Sequence, residues 1–288
     1  MRKLIIALSI IGIVALGCKK EEEKISDEQA LIEMLSESPL FDISNHYEGG
    51  ATSDSGDTFF SIVSDSIVTV LWGREILERP DPTISIEIVG DSAYVIYEGY
   101  NRGFLDILAL DPDSGWVLYK KLLSETYVIH AVFRRTGNET DQNRGWELTH
   151  ISGAIGISDS VNTVGIDSIR IESLSYPDTI LKDPLRLFSV DNILTFSQGE
   201  PVTLTIYTND GTARAFLHVF AFFPRHIRIP FTNMGGGIYQ NPHPWYTQLI
   251  PAVRLAVFDL MQYETLHDSE YPYDFCGWLF PYQIVSTK

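Results

Sequence analysis

The chain has 288 residues, of which 44% are hydrophobic and 12% aromatic, so it has enough apolar material for two folded cores. Its formal net charge is −17 at pH 7, and an acidic surface repels nucleic acids and anionic lipid headgroups. Composition therefore argues against nucleic acid as a partner and against membrane binding through a basic surface.

The first 17 residues have the pattern of a signal peptide. Arg2 and Lys3 supply the positive start, and residues 4–17 (LIIALSIIGIVALG) form an unbroken stretch of apolar and small residues. As a helix this stretch would be about 21 Å long at ~1.5 Å per residue, short of the ~30 Å hydrocarbon core of a membrane. A permanent transmembrane anchor is therefore the less favoured interpretation.

The signal segment ends in Ala15-Leu16-Gly17-Cys18, which resembles the lipobox of bacterial lipoproteins. The leucine stands two residues before the cysteine, where the family usually has it three before. The resemblance implies cleavage before Cys18, lipidation of Cys18 and a lipid-anchored place in the cell envelope. Because Lys19 replaces the aspartate that marks inner-membrane retention in that family, it also implies the outer membrane. The alternative is an ordinary secretory signal that ends near a cysteine.

Residues 18–24 are expected to form the lipidated cysteine and a charged tether. The sequence KKEEEK after the cysteine has no apolar side chain to offset its ordering entropy, so it should stay solvated. Removing residues 1–17 takes away two basic residues and no acidic one, so the formal charge falls from −17 to −19. With Cys18 lipidated, Cys276 has no cysteine partner, and we expect it to be a small buried hydrophobe.

A helix is predicted at the start of the folded chain. Ser26 and Gln29 form a capping box, and the helix should run to about Ser36 and end before Pro39. Between Phe59 and Trp72 the apolar pattern fits a buried helix or two strands equally well, so both remain open.

Long antiparallel strands follow from residue 84. Ile84, Ile86 and Ile88 alternate with polar residues, which is the period of a half-buried strand. A link that begins with glycine and has two residues suits a tight hairpin turn. The polar breaks that should form the turns lie at residues 90–91, 111–115 and 137–145.

This order of elements over residues 25–153, closing on GWELTHIS, resembles a domain of the NTF2-like superfamily. The resemblance implies an α+β domain at residues 25–155, with a helix on a curved antiparallel sheet and a conical pocket. Some relatives use one acidic residue in that pocket for proton transfer, and Asp106 is the only plausible base here. The polar candidates for the pocket are Tyr94, Tyr97, Tyr100 and Asp106. The alternative is an outward-facing Asp106 with packed tyrosines.

A polar stretch at residues 158–163 separates this half from a second domain, expected at residues 160–288. Short strands with closely spaced turns are typical of a sandwich. The segment SQGEPVTLTIYTND resembles the strand opening of bacterial immunoglobulin-like modules. The expected fold class is therefore α+β: an NTF2-like helix and curved antiparallel sheet, followed by an all-β immunoglobulin-like sandwich.

No motif for a common catalytic, metal or nucleotide site occurs, including His-Glu-x-x-His, paired Cys-x-x-Cys, Gly-x-Ser-x-Gly and the phosphate loop. The seven histidines are scattered singly. His218 and His226 flank a strand end and could meet, but no third ligand accompanies them. We therefore expect no catalytic residue, no metal and no cofactor.

Two aromatic, proline-containing segments, residues 241–248 and 267–282, provide a candidate binding surface. Proline-stiffened loops can hold Tyr and Trp rings that offer large contact area at low entropy cost. The candidates are Trp245, Tyr246, Tyr271 and Tyr273. The alternative is that aromatic residues complete the sandwich core and cover its rim, namely Phe275, Trp278, Phe280, Tyr271 and Tyr273.

The expected function is that of a membrane-anchored lipoprotein in non-catalytic binding or envelope assembly, with a protein or carbohydrate partner. The alternative is a sensor or enzyme that uses the pocket of the first domain for a small molecule. A deep pocket with convergent polar groups would favour the alternative, and a filled interior would favour the first hypothesis.

Overall fold

The structure is a computed structural model and describes residues 25–38, 40–41, 52–53, 67–222, 225–247 and 252–286. Cys18, the signal segment and the tether lie outside the described residues. Neither of the two α-helices described is long and apolar enough to cross a membrane. The α-helices are α1 (Asp27–Glu37) and α2 (Tyr263–His267). Two short 3-10 helices lie at Gln142–Gly145 and Val190–Asn192.

Strands make up most of the described chain. In the first half they are β1 (Thr52–Ser53), β2 (Val68–Glu78), β3 (Thr83–Val89), β4 (Ser92–Asp111), β5 (Gly115–Arg135) and β6 (Trp146–Ser158). In the second half they are β7 (Ile166–Glu172), β8 (Thr179–Leu181), β9 (Phe188–Ser189), β10 (Leu194–Ser197), β11 (Pro201–Thr208), β12 (Arg214–Phe222), β13 (Arg225–Pro230), β14 (Thr232–Gly235), β15 (Ile238–Gln240), β16 (Trp245–Tyr246), β17 (Ala252–Met261) and β18 (Phe275–Val285).

The predicted helix and its cap are confirmed. The Ser26 hydroxyl accepts a hydrogen bond from the Gln29 amide at 3.1 Å, which satisfies one of the unpaired donors at the helix start. The apolar face buries Ala30, Leu31 and Leu35 against the sheet. Asp27, in the first turn, is held by two arginines and the indole of a tryptophan from the far end of the sheet, namely Arg135, Arg144 and Trp146.

The predicted hairpins are also confirmed. β3 and β4 meet at residues 90–91, where Gly90 has a φ of +59° that suits glycine. β4 and β5 pair along their whole lengths, and the Asp111 carboxylate closes their turn by accepting from the amides of Asp113 and Ser114 at 2.9 and 2.8 Å. The open segment at residues 59–72 is described only from residue 67, and its described end is strand β2.

Nine strands of a 12-stranded sheet run in the order β1-β2-β4-β5-β6-β18-β17-β12-β13, with antiparallel neighbours along that path. The other three strands, β3, β9 and β10, pair with β4, β6 and β18. The sheet curls so that its ends meet: the guanidinium of Arg228 in β13 lies 3.3 Å from the ring centroid of Trp72 in β2. A second sheet has the order β14-β15-β11-β7-β8. It packs against the outside of the curl.

Two cores lie on opposite faces of the same three strands, β12, β17 and β18, which we call the shared wall. The first core fills the curl, and the second lies between the wall and the second sheet. Successive strand residues point to opposite faces, so Phe275 and Leu279 enter the first core while Cys276 and Trp278 enter the second. Burial on both faces explains why residues 275–284 read as an almost continuous apolar run.

The expected α+β fold class is wrong, because the described residues are mostly strand and the antiparallel sheets are curled. The 11 residues of α1 cover only a small part of the first sheet. Strands of the second half complete the first core instead, through Phe216, Val257 and Phe275. The NTF2-like prediction was therefore wrong because it treated one well-capped helix as a main layer of the fold.

The large sheet continues across the boundary expected near residues 155–160. β6 pairs with β18 from Ala154 opposite Leu279 to Ile157 opposite Cys276. One face of the second-half sandwich is thus part of the same sheet that carries the first half. Separate folding of residues 25–155 and 160–288 stays a prediction.

Candidate functional site

A cleft of about 260 Å³ opens at the bend between β2 and β3. Along one edge, β4 pairs with β3 from Ser92 to Glu98 and with β2 from Arg102 to Leu110. Residues 99–101 are therefore unpaired on that edge. The bend, residues 79–82, contains two prolines, which lack the N–H that pairing requires. The cleft is lined by Leu35, Ser36, Ser38, Phe41, Arg79, Pro80, Asp81, Pro82, Tyr97, Gly99, Tyr100, Asn101 and Tyr127.

The enclosed end of the cleft is formed by Asn101 and Tyr127, which are 3% and 2% exposed. Behind them lies the fully buried carboxylate of Glu125. The Tyr127 hydroxyl donates to its Oε2, and the Asn101 amide nitrogen lies 3.4 Å from that oxygen and 3.4 Å from the Tyr127 hydroxyl. The Tyr273 hydroxyl donates to Oε1. Both oxygens of Glu125 are thus engaged, and the two polar groups at the enclosed end of the cleft are oriented from behind.

Arg74 joins this cluster to the shared wall. Its Nη1 and Nη2 lie 2.7 and 3.0 Å from the two carboxylate oxygens of Asp259, a bidentate arrangement. Its Nε lies 2.8 Å from the Tyr273 hydroxyl and 3.2 Å from Glu125 Oε1, and the Phe275 ring lies 4.7 Å from the guanidinium carbon. We call the whole set the buried polar network: Arg74, Asn101, Glu125, Tyr127, His218, Asp259 and Tyr273.

Mutual pairing decides the charges in this network. Burial by itself would lower the pKa of Arg74, but Asp259, Tyr273 and Glu125 raise it well above the usual value. Burial would raise the pKa of Asp259, but Arg74 and the hydrogen bond with His218 hold it well below the usual range. Burial, with the nearby carboxylates, raises the pKa of Tyr273 far above its usual value, so its hydroxyl remains a donor.

His218 stands on β12 with its Nε2 2.9 Å from Asp259 Oδ2. Burial lowers the pKa of His218 to about 4, and the cations Arg228 and Arg74 act in the same direction against the raising effect of Asp259. The imidazole is therefore neutral at pH 7. In the strand register His218 lies opposite Arg228 and His226 lies opposite Phe220, so the two histidines are not directly paired.

Two of the four predicted pocket residues line the cleft, and the other two do not. Tyr97 and Tyr100 line the cleft. Tyr94 is 50% exposed on the outer face, away from the cleft. Asp106 also lies on the outer face, where its Oδ1 is 3.2 Å from Lys120 Nζ, so this carboxylate does not reach the cleft. The alternative of an outward-facing Asp106 is confirmed.

The four residues of the predicted aromatic surface do not form one patch. Trp245 is 6% exposed and packs at 5.4 Å against Tyr282 in the second core. Tyr273 is 1% exposed inside the buried polar network, on the other face of the wall. Tyr246 is 65% exposed, and the partly buried Tyr271 donates to Asp274 Oδ2 at 3.2 Å. Trp278 and Phe280 lie in the second core, as the alternative proposed, whereas Phe275 is buried in the first core.

Neither metal ligation nor a reactive thiol has support in the part of the chain that the structure describes. Within it, no group of three or more His, Cys, Asp or Glu side chains could hold a metal ion. Cys276 is 4% exposed, and burial raises the pKa of its thiol to about 11. Cys276 is therefore a small hydrophobe of the second core.

Sequence reasoning missed four central residues of the site: Arg74, Asn101, Glu125 and Asp259. It considered His218 only together with His226. For Asn101 and Glu125 a signal existed, because each is a polar residue on the strand face that otherwise buries apolar side chains. For Arg74 and Asp259 no local signal could suffice. They are 185 residues apart in sequence, and only the curl of the sheet brings them together.

No protein-family model, curated protein or solved structure matches the chain. Its function is therefore proposed from the geometry of the cleft and of the network behind it.

Proposed function

We propose that the protein is a lipid-anchored, non-catalytic binding protein of the cell envelope that takes one ring of a neutral carbohydrate in the cleft beside α1. Lipid on Cys18 would tether it, and the charged segment 19–24 would hold the folded part clear of the membrane surface. The observation that carries the proposal is the cleft whose polar groups are fastened from behind by the buried polar network.

Preorganisation is the physical reason to read the cleft as a binding site. The Asn101 amide and the Tyr127 hydroxyl are positioned by Glu125, which is in turn held by Tyr273 and Arg74. Groups that are already ordered lose little further freedom when a ligand arrives, so more of the contact energy appears as affinity. Structural polar groups with no binding role would not require an open cleft at their end.

The same contacts favour binding over catalysis. Glu125 has both oxygens engaged and is fully buried, so it cannot take a proton from a ligand in the cleft. Among the lining residues described, Asp81 is the sole carboxylate, and it lies exposed at the rim. A nucleophile with an adjacent base is not assembled among these residues.

Ligand chemistry follows from the walls. The rings of Phe41, Tyr97 and Tyr100 offer apolar faces, while Ser38 and Asn101 offer hydrogen-bonding groups. A sugar ring presents both an apolar face of C–H groups and a rim of hydroxyls, so it matches this mixture. At about 260 Å³ the cleft lies just below the usual range for drug-sized ligands, which suits one ring.

Saturation-transfer NMR with glucose, N-acetylglucosamine and their β-1,4-linked disaccharides tests this proposal. We expect Tyr100→Ala to weaken binding of the responding sugar about two- to tenfold, because a ring contact contributes about 0.5–1.5 kcal/mol. Tyr94→Ala is the matched control, since it removes a tyrosine from the outer face of the same strand. Binding that is absent for all probes, or equally reduced by both variants, would contradict the proposal.

The anchor has its own test. A Cys18→Ser variant should move from the detergent phase to the soluble fraction when the full chain is expressed in a bacterium that lipidates envelope proteins. The intact mass of the chain without this substitution should show acyl groups on Cys18. A free thiol at Cys18 or a retained residue 1 would refute the lipoprotein part of the proposal and leave the cleft untouched.

A further inference from the structure

The outer half of the β4–β5 hairpin has an open strand edge. β5 pairs with β6 only from Glu125, opposite Ser158, to Arg135, opposite Trp146. From Gly115 to Ser124, β5 pairs with β4 on one side, and no other strand in the described ranges pairs with its second edge. An open edge is a template for pairing with another strand.

The direction of the backbone groups follows from one contact. The Asp159 amide donates to the Ser124 carbonyl at 2.9 Å across the β6 side, so Ser124 points to that edge. Backbone groups of alternate residues point to the same side of an antiparallel strand. Residues 116, 118, 120 and 122 therefore direct their N–H and C=O groups to the open edge.

Apolar side chains cover the outer face beside this edge. Trp116, Leu118 and Leu122 are 64%, 57% and 76% exposed. Three strands at ~4.8 Å spacing and six residues at ~3.4 Å rise give a face of roughly 15 by 20 Å, or about 300 Å². A face of that size with several large exposed apolar side chains is a candidate interaction site. Neighbouring strands add Leu77, Leu110 and Val68, which are 60%, 39% and 37% exposed.

The charges of this face are paired within it. Lys120 Nζ lies 2.8 Å from Glu75 Oε2 and 3.2 Å from Asp106 Oδ1. The chain as a whole is strongly acidic, so most of its surface repels another copy. The acidic turn that carries Asp111 and Asp113 also opposes insertion of this end into an anionic membrane.

We propose that the occupant is a second copy of this chain, joined by antiparallel pairing of the two β5 edges about a twofold axis at Tyr119. In that register Trp116 lies opposite Leu122 of the copy. Leu118 lies opposite Lys120 of the copy. No like charges oppose each other, and the two apolar faces join into one, whereas a parallel pairing would place the two Lys120 side chains together. The arrangement is isologous, as a closed dimer requires.

Cysteine cross-linking tests this register in the full chain. Tyr119 directs its backbone toward β4, so it would face its own copy as a non-hydrogen-bonded pair, with Cα atoms about 4.5 Å apart. That spacing suits a disulfide. We expect Tyr119→Cys to give a disulfide-linked product with twice the mass of the chain when membranes of expressing cells are treated with a mild oxidant.

Two controls exclude chance collisions. Leu118→Cys is more exposed, but its Cα would lie about 8 Å from that of its copy, beyond the ~7 Å limit for a disulfide. Leu174→Cys lies on an exposed turn, 85% exposed and distant from the edge. Both should cross-link at least tenfold less than Tyr119→Cys.

Charge changes at the opposed positions then test the partner. In a Tyr119→Cys background, Trp116→Lys with Leu122→Lys places like charges together and should reduce the cross-link at least tenfold. Trp116→Lys with Leu122→Glu places opposite charges together and should restore it. The proposal is overturned by a Tyr119→Cys product no stronger than the controls. An unaffected Lys/Lys variant, or a product whose mass corresponds to a different protein, overturns it equally.

Discussion

The two cores touch opposite faces of the same wall, yet they hold it by different chemistry. On the first face Asp259 pairs with Arg74 and His218 inside the buried polar network. On the second face the contacts are edge-on aromatic pairs such as Trp245 with Tyr282 at 5.4 Å. Alternation along a strand is what allows one segment to serve both chemistries.

The two cores should therefore differ in how well they tolerate substitutions. Charged groups in the first core require the right partner at the right angle, and removing one leaves another charge buried and unpaired. Apolar groups in the second core lose stability in proportion to the volume removed. We therefore expect the first core to determine how the sheet curls and the second to supply graded packing energy.

The largest effect is expected for Arg74→Ala. The variant leaves Asp259 and Glu125 buried without their cation, which should reduce the free energy of unfolding by about 3–5 kcal/mol in urea titrations. Lys120→Met is the matched control, because it removes only exposed ion pairs and should change stability far less than Arg74→Ala. Equal effects of the two variants would remove the contrast between buried and exposed charge.

Trp245→Ala should reduce the free energy of unfolding by about 3 kcal/mol, since it empties an aromatic site in the second core. Its neighbour Tyr246 is 65% exposed, so Tyr246→Ala should stay within about 0.5 kcal/mol. Thermal or chemical denaturation of both variants measures the difference. If Trp245→Ala left stability unchanged, Trp245 would not be a core residue, and the predicted exposed binding surface would regain support.

A smaller, pH-dependent effect belongs to His218. Its folded pKa is about 4 and its ordinary value is 6.5, because burial opposes the charge, so the unfolded chain binds the proton first. Stability is complete above pH 6.5 and is lost as the pH falls toward 4. The loss from this group between pH 7.5 and 5 should be about 2 kcal/mol. His218→Gln should flatten the stability profile across that range, and an unchanged slope would assign the pH dependence to other groups.

Local elements were predictable because their signals are local. The cap at Ser26 and the turns near residues 90 and 111 depend on a few neighbouring side chains, and all of them form. The alternation from Ile84 likewise predicted strands correctly. The fold class was not predictable in this way, because the first core is completed by β12, β17 and β18, distant strands of the same curled sheet.

The candidate site shows the same limit. Tyr97 and Tyr100 were identified from their polar rings, but Tyr94 and Asp106 lie outside the cleft, because the sequence does not reveal where along β4 the neighbouring strands leave its edge open. The two aromatic segments were recognised from their composition, but composition does not reveal which rings are buried. Burial of Trp245 depends on a second sheet whose position no local pattern encodes.

By itself the sequence determined the acidic charge, the helix cap, the hairpin turns and the run of strands, because each is specified by residues within one turn or one strand. Only the tertiary structure decided that the sheet curls, that one wall serves two cores, and that Arg74 meets Asp259 across 185 residues. The physical reason is that a buried ion pair gains its stability from an enclosed position, and enclosure arises only when distant segments have packed together.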